Sequence, residues 1–369
     1  MRILHLTDHY PPVLGGIESH VSSLAERQAL QGNEVVVVTS TPADADGRHC
    51  DDDGPVEVRR VPSVRAGRRV DVESFDVVHA HLSVVAPFTA PVTAAAAGRV
   101  PTVVTVHSLW SGLGPIPGAA VALAGLRSAP VTWTAVSRVA ARHLAAQLPR
   151  NRHVRVLPNA VDVPARERTP GRSPGEPVRL VSTMRIARRK RPFALLRMVE
   201  EVRRSVDVPV RLTVVGDGPL RPRLERRIDA AGLRGEVRVT GRLDPAEVVR
   251  VLAGGDLYVA PAVRESFGLA VLEARSVGLP IVGQAASGVT EFVRHGVEGL
   301  LGDSDVDLVD RLCELVADAG LSHRIAEHNR VHPTSLTWAN ALARHEQAYA
   351  LATDPAAAHL RRLTEVAGR

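Results

Sequence analysis

Aromatic side chains are scarce: Phe, Tyr and Trp together make up 3% of the 369 residues. Proteins that stack on nucleobases interleave aromatics with basic residues, and the formal net charge here is a modest +6, so no nucleic-acid partner is expected. Cysteine occurs only as Cys50 and Cys313, far apart in sequence. That excludes a disulfide scaffold or a Cys-based zinc cluster and suits a reducing, cytoplasmic setting. Long apolar runs are also missing. The most apolar stretches, 84–97 and 113–126, are interrupted by Pro87 and Pro91 or by Pro115 and Pro117, and neither is expected to span a membrane. Met1-Arg2-Ile3-Leu4-His5 reads as the start of a strand and lacks the apolar core of a secretory signal. Lysine is the rarest feature of all. Lys190 stands alone against 45 arginines. An arginine-favouring composition accounts for the many but not for the one.

What remains is ample for folding. With 45% hydrophobic and 23% charged residues the chain builds ordinary cores, and its length suits two domains of about 150–200 residues. Short β-branched runs predict strands at 3–6, 35–39, 56–60, 77–79, 102–106, 132–136 and 154–157. Between the first two, Ile17, Val21, Leu24, Ala25 and Gln28 recur at helical spacing, and Ser137 is placed to cap another helix. The stretch 164–177, with four prolines and two glycines, reads as a linker. The pattern then restarts, with strands at 178–182, 210–215, 237–240, 257–260 and 280–282 and helices from Pro192, Leu220, Pro245 and Leu269. Two doubly wound α/β domains in tandem are expected, each with a parallel sheet covered on both faces. Ligands in such sheets sit beyond the carboxyl ends of the strands, so the expected site is the cleft that the two domains face.

The residues after each strand therefore matter most. Glu265-Ser266-Phe267-Gly268-Leu269-Ala270-Val271-Leu272-Glu273 follows the strand at 257–260. In one continuous helix its two glutamates would differ by about 80° in direction. A turn at Phe267-Gly268 instead sets Glu265 ahead of a helix start and Glu273 on its early turns. The amides there suit a diphosphate, and the carboxylates suit sugar and ribose hydroxyls. Met184-Arg185-Ile186-Ala187-Arg188-Arg189-Lys190-Arg191 follows the strand at 178–182. Arg185 and Lys190 read as a cationic clamp for a diphosphate leaving group without a metal, while Arg188, Arg189 and Arg191 read as solvated charge. Gly15-Gly16-Ile17-Glu18 and Gly216-Asp217-Gly218-Pro219 are glycine turns at strand ends; the first is as consistent with a plain turn as with phosphate approach, and for the second a tight strand-to-helix turn is the preferred reading. His5 and His9 flank the first strand, and His79 and His81 the fourth. His79-Ala80-His81 shows no third metal ligand at suitable spacing, so a structural or hydrogen-bonding role is preferred. His107, ending the strand at 102–106, is placed to touch a ligand.

Taken in order, these motifs resemble glycosyltransferase family 4, retaining enzymes of the GT-B fold. The resemblance adds Val106-His107-Ser108, Ala135-Val136-Ser137, Pro158-Asn159-Ala160-Val161-Asp162, Gly288-Val289-Thr290-Glu291 and Trp338. It implies donation of a sugar from a nucleotide diphosphate sugar, UDP- or GDP-linked, to an acceptor hydroxyl of a lipid, saccharide or small molecule, with no cofactor or metal. Arg185 and Lys190, with Gly16 and Gly216 nearby, would hold the diphosphate. Glu265 and the amides of Phe267, Gly268 and Leu269 would hold the sugar, Glu273 the ribose, and His107 would face the sugar. The implied domains are 1–164 on the acceptor side, 165–340 for the donor, and a helix in 341–369 returning to the first. The family's usual glycines before Arg185 and after Lys190 are Met184 and Arg191 here, which changes loop shape. A UDP-sugar epimerase of the same architecture and a non-catalytic sugar-nucleotide-binding protein are alternatives. A nicotinamide-dependent oxidoreductase is not expected, because the dinucleotide fingerprint is absent. Arg59, Arg60, Arg65, Arg68 and Arg69, beside the apolar stretch 87–117, keep peripheral contact with the inner membrane face open.

Overall fold

A computed structural model of the chain describes residues 1–13, 15–43, 54–110, 116–162 and 175–354; most of the expected linker lies outside them. The fold divides into two units, one of Met1–Ala160 with Trp338–Arg369 and one of Val161–Thr337. The change-overs expected at 164 and 340 thus compare with 160 and 337.

The first unit carries strands β1 (Arg2–Thr7), β2 (Glu34–Thr39), β3 (Glu57–Arg60), β4 (Val77–Leu82), β5 (Thr102–Val106), β6 (Thr132–Ala135) and β7 (Val154–Val156). They form one parallel sheet in the order β3-β2-β1-β4-β5-β6-β7. Val35–Val38 and Val77–Val78 are buried because helices cover both faces. The Arg138–Ala145 helix is capped by Ser137, whose side chain accepts from the Ala140 amide at 3.0 Å. One face mixes chemistries. At its amino end Ile3, Val35, Val77 and Val103 pack with Val21 and Ala25. Towards its carboxyl end, two residues further along each strand, stand His5, His79 and Thr105, with His81 beyond. The Trp338–Thr353 helix lies against β4, β5 and β6 and brings Tyr349 into this core.

The second unit carries β8 (Val178–Thr183), β9 (Val210–Val215), β10 (Val237–Gly241), β11 (Leu257–Ala260), β12 (Ile281–Gln284) and β13 (Gly299–Gly302), parallel in the order β10-β9-β8-β11-β12-β13. β13 is not expected from sequence. Its four residues, Gly-Leu-Leu-Gly, are too few and too glycine-rich to read as a strand, yet a Cβ at Gly299 would lie 2.1 Å from the Ile281 carbonyl oxygen. Glycine is what lets β13 pair with β12. The Pro192–Ser205 and Asp305–Ala317 helices bury Leu195, Val199, Leu308 and Leu312 against one side of this sheet. Among the described residues no helix is long and apolar enough to cross a membrane.

Candidate active site

The strand order of the second sheet reverses between β8 and β11, and the loops leaving these two strands flank that switch point. The β8 loop presents Arg185 and Lys190, the β11 loop Glu265. The two loops meet: the Lys190 ammonium donates to the Glu265 Oε2 carboxylate oxygen. Their side chains are 39% and 16% exposed, so the pair lies at a surface a ligand can reach. Arg185 is exposed and has no ion-pair partner among the described residues. Lys190 is therefore not the free cation that a clamp of two basic residues suggests; its charge is matched by the carboxylate expected to hold sugar.

The β8 loop takes its shape from an arginine in a glycine position. Arg191, where the family usually has glycine, adopts φ 57°, in the left-handed region that costs a side-chain-bearing residue energy. Its guanidinium is bound at both ends, to Asp305 by two bonds of 2.7 Å and to the Pro261 carbonyl at 3.0 Å. Arg191 is thus an anchor and not solvated charge. It ties the β8 loop to the turn after β11, while Arg188 and Arg189 are exposed as expected. Gly216 tightens the same region from β9. At φ 131° it approaches so closely that a Cβ would fall 2.0 Å from the Met184 carbonyl oxygen. The glycine turn 216–218 thus shapes the β8 loop.

The turn foreseen at Phe267-Gly268 is present. Gly268 has φ 95° and precedes the Leu269–Ser276 helix, which sets Glu265 before the helix and Glu273 on its second turn. The amides of Phe267, Gly268 and Leu269 have no backbone partner among the described residues, and they end the positive pole of that helix. Phe267 is buried, its ring 5.4 Å from that of Phe292, which fixes the turn from beneath. Gly288 fixes it from the side: its amide donates to the Glu265 carbonyl at 2.8 Å, and a Cβ there would lie 2.1 Å from the Ser266 oxygen. Sequence alone gives Gly288 no role; only the closeness of the two loops does. The Glu273 carboxyl is pushed up to about 7 by burial. Neighbouring Tyr258 fastens β11 to the end of β8, its hydroxyl within 3.1 Å of both the amide and the carbonyl of Thr183.

In the first unit, Gly16 is the exposed first residue of the Gly16–Leu30 helix. His107 directly follows β5 and is buried, its Nε2 3.0 Å from His81 Nδ1. Burial holds its pKa down at about 3, so the ring is neutral. Trp338 opens the last helix, stacked on His20 at 5.2 Å. The pair His79-x-His81 gains a third partner that sequence spacing does not show. His5 on adjacent β1 brings the three rings' nitrogens within 4.8 Å of one another. Both nitrogens of each ring are already in hydrogen bonds, so a cation there would have to displace them. In the basic run, Arg59, Arg65, Arg68 and Arg69 are exposed; Arg59 pairs with Glu57 at 2.6 Å, and half-buried Arg60 donates to the Thr41 carbonyl at 2.9 Å.

Comparison with known proteins agrees with this layout. The family described as Glycosyltransferase Family 4 matches residues 14–164, and Glycosyl transferases group 1 matches residues 165–332. D-inositol 3-phosphate glycosyltransferase of Nocardia farcinica is 31% identical over 179 residues, 46% of this chain and 39% of that protein. The match thus spans well under half of that relative's length. The phosphatidylinositol N-acetylglucosaminyltransferase gpi3 subunit of Schizosaccharomyces pombe is 25% identical over 338 residues, 87% of this chain and 74% of its own. Among solved structures, Anabaena Alr3699/HepE in complex with UDP and glucose superposes with a TM-score of 0.74 at 19% identity, covering 94% of this chain and 98% of that one. With two parallel Rossmann-like sheets of the GT-B fold and two consecutive family matches that together run from residue 14 to 332, the chain belongs to glycosyltransferase family 4.

Proposed function

We propose that this protein is a retaining glycosyltransferase that moves the sugar of a nucleotide diphosphate sugar to an acceptor hydroxyl without a metal. The observation that carries the reading is the contact between Lys190 and Glu265 at the sheet's switch point, beside the unpartnered amides of Phe267, Gly268 and Leu269. An ammonium has three donors, and Glu265 uses one. Lys190 keeps the others for a phosphate oxygen, and Glu265 keeps its second oxygen for a sugar hydroxyl. Arg185 adds a bidentate grip, so that two cations and a helix start supply the charge that a divalent metal supplies elsewhere. Glu273 takes the ribose hydroxyls; once they donate to it, its carboxylate gains the partners that burial withholds. His107 is the further candidate to meet a sugar hydroxyl.

The reaction that fits these groups is a front-face substitution. The bond from the anomeric carbon to the diphosphate breaks as Arg185 and Lys190 neutralise the leaving oxygens. The acceptor oxygen bonds on the same face, and its proton passes to the departing phosphate. Configuration is retained, and no second carboxylate is needed as nucleophile. HepE was solved with UDP and glucose, which favours a UDP-linked donor. Two relatives are named for inositol-bearing molecules, so inositol phosphate and phosphatidylinositol head the acceptor panel. Exposed Arg65, Arg68 and Arg69 support peripheral contact with anionic lipid, tested by liposome co-sedimentation at low and high salt.

The deciding experiment is a thermal-shift panel of UDP, GDP, UDP-glucose and GDP-mannose with EDTA present, followed by transfer assays with the stabilising donor. Stabilisation by one nucleotide series and EDTA-insensitive transfer are expected. No shift with any of the four would sink the reading.

A further inference from the structure

The buried polar face of the first sheet carries one continuous hydrogen-bond path, and its proton order is fixed from one end. The Val104 carbonyl can only accept, and it accepts from the Thr134 hydroxyl at 3.0 Å. Thr134 has no other proton, so at the 2.6 Å contact between the two threonine hydroxyls Thr105 is the donor. The Thr105 oxygen must then accept from His79 Nε2 at 2.7 Å. A neutral imidazole holds one proton, so His79 Nδ1 accepts from the Tyr349 hydroxyl at 2.9 Å. The Tyr349 oxygen in turn accepts from the Gln28 amide nitrogen at 2.9 Å, which turns the amide oxygen of Gln28 to His5 Nε2 at 2.8 Å. The proton of His5 is therefore on Nε2, and its Nδ1 accepts from His81 Nε2 at 2.9 Å. His81 Nδ1 accepts from His107 Nε2 at 3.0 Å. The path ends at His107 Nδ1, a bare lone pair, buried and without a partner among the described residues.

The reversed proton order fails at the Val104 end, where Thr134 would owe a single proton to two oxygens. The premise of neutral rings holds by burial: the pKa of His5 is lowered to about 4, and those of His79 and His81 fall well below the ordinary imidazole value. Switching His107 to the other tautomer requires the arm from Gln28 to His107 to reverse together, and Tyr349 and Thr134 resist it. The path joins the strands β1, β4, β5 and β6 to the two helices that supply Gln28 and Tyr349.

We propose that Thr134, Tyr349 and Gln28 are positioning residues that hold His107 as its Nε2–H tautomer and present Nδ1 as a fixed acceptor for a substrate hydroxyl. A ring so held selects a donor group and rejects a carbonyl or phosphate oxygen at that point. The substrate half of the statement rests on the glycosyltransferase reading; the tautomer half does not.

The test is long-range ¹H–¹⁵N correlation spectroscopy on the full chain labelled at histidine, with His107 assigned by its loss in His107→Gln. An unprotonated Nδ1 and a protonated Nε2 are expected for His107, and the same pattern for His5, His79 and His81. A proton on His107 Nδ1 overturns the proposal. In Tyr349→Phe the two His107 nitrogen shifts are expected to move towards one another, as the alternative order becomes accessible; unchanged shifts overturn the positioning role. Should Tyr349→Phe fail to fold by circular dichroism, Thr134→Val is read the same way. Adding UDP-glucose or GDP-mannose is expected to shift the Nδ1 resonance, and binding of either with Nδ1 unmoved overturns the acceptor role. Binding of neither, with the tautomer as expected, counts against the transferase reading and the substrate half while upholding the proton order.

Discussion

Lys190 and Glu265, 75 residues apart in sequence, meet as an ion pair across the two loops that flank the switch point of the second sheet. The contact holds each side chain in place. Lys190→Ala is expected to lower kcat by about 10²–10³-fold, the usual effect of removing one preorganised charge-stabilising donor, with little change in melting temperature. Lys190→Arg is not expected to restore the rate, because a planar fork does not replace a compact ammonium. Glu265→Ala should lose turnover comparably. Wild-type turnover in either alanine variant removes the pair from the mechanism.

Glu273 gives the protein a pH signature. Its carboxyl is raised to about 7 by burial, above its unfolded value, so the folded state favours the protonated form. The associated stability is fully present below about pH 4.5 and is lost as pH rises through 7, with an upper bound of about 3 kcal/mol. Glu273→Gln imitates the protonated form, so its stability relative to wild type should rise between pH 5 and 8. Parallel melting curves across that range refute the burial effect. If the carboxylate binds ribose, UDP binding near pH 7 also releases a proton, measured by calorimetry in buffers of different ionisation enthalpy.

Arg191 holds a left-handed backbone by means of its bonds to Asp305 and the Pro261 carbonyl. Asp305→Asn should destabilise the second unit by about 1 kcal/mol, the low end of the range for a residue held in a sparsely populated conformation, together with loss of an acidic residue from the first turn of the Asp305–Ala317 helix. Arg191→Gly added to it should recover part of that loss, since glycine takes the conformation without strain. Denaturant midpoints of the single and double variants measure this; strict additivity argues against the coupling.

Gly288 is predicted to be intolerant of a methyl group. Its Cβ would meet the Ser266 backbone, which cannot yield as a side-chain end does. Gly288→Ala should cost about 1–3 kcal/mol by overpacking and should displace Glu265, whose carbonyl the Gly288 amide holds. The affinity for whichever nucleotide stabilises the protein and the unfolding midpoint should fall together. An unaltered affinity with reduced stability would separate Gly288 from the site.

Much of the architecture is written in local pattern. Runs such as Val35–Val38 and the restart of the alternation at Val178 predict two parallel sheets, because side-chain periodicity and turn chemistry are properties of neighbouring residues. The same is true of the Phe267-Gly268 turn, which separates Glu265 from Glu273, and of the lone lysine. β13 escapes because its pairing depends on a glycine fitting against β12, which leaves no trace in four residues. Arg191 escapes for a related reason: its side chain is legible as charge, but its partner Asp305 lies 114 residues on.

The histidines mark the boundary most clearly. The sequence by itself fixes that His5, His79 and His107 fall in or just after buried strands, since flanking valines and alternation set which residues a strand contains. It takes the packed fold to place β1 beside β4 and to bring Gln28 and Tyr349 together so that they close the path between the two arms. Strand order and such side-chain meetings are long-range choices made by packing free energy summed over the whole unit, and no stretch of neighbouring residues carries them.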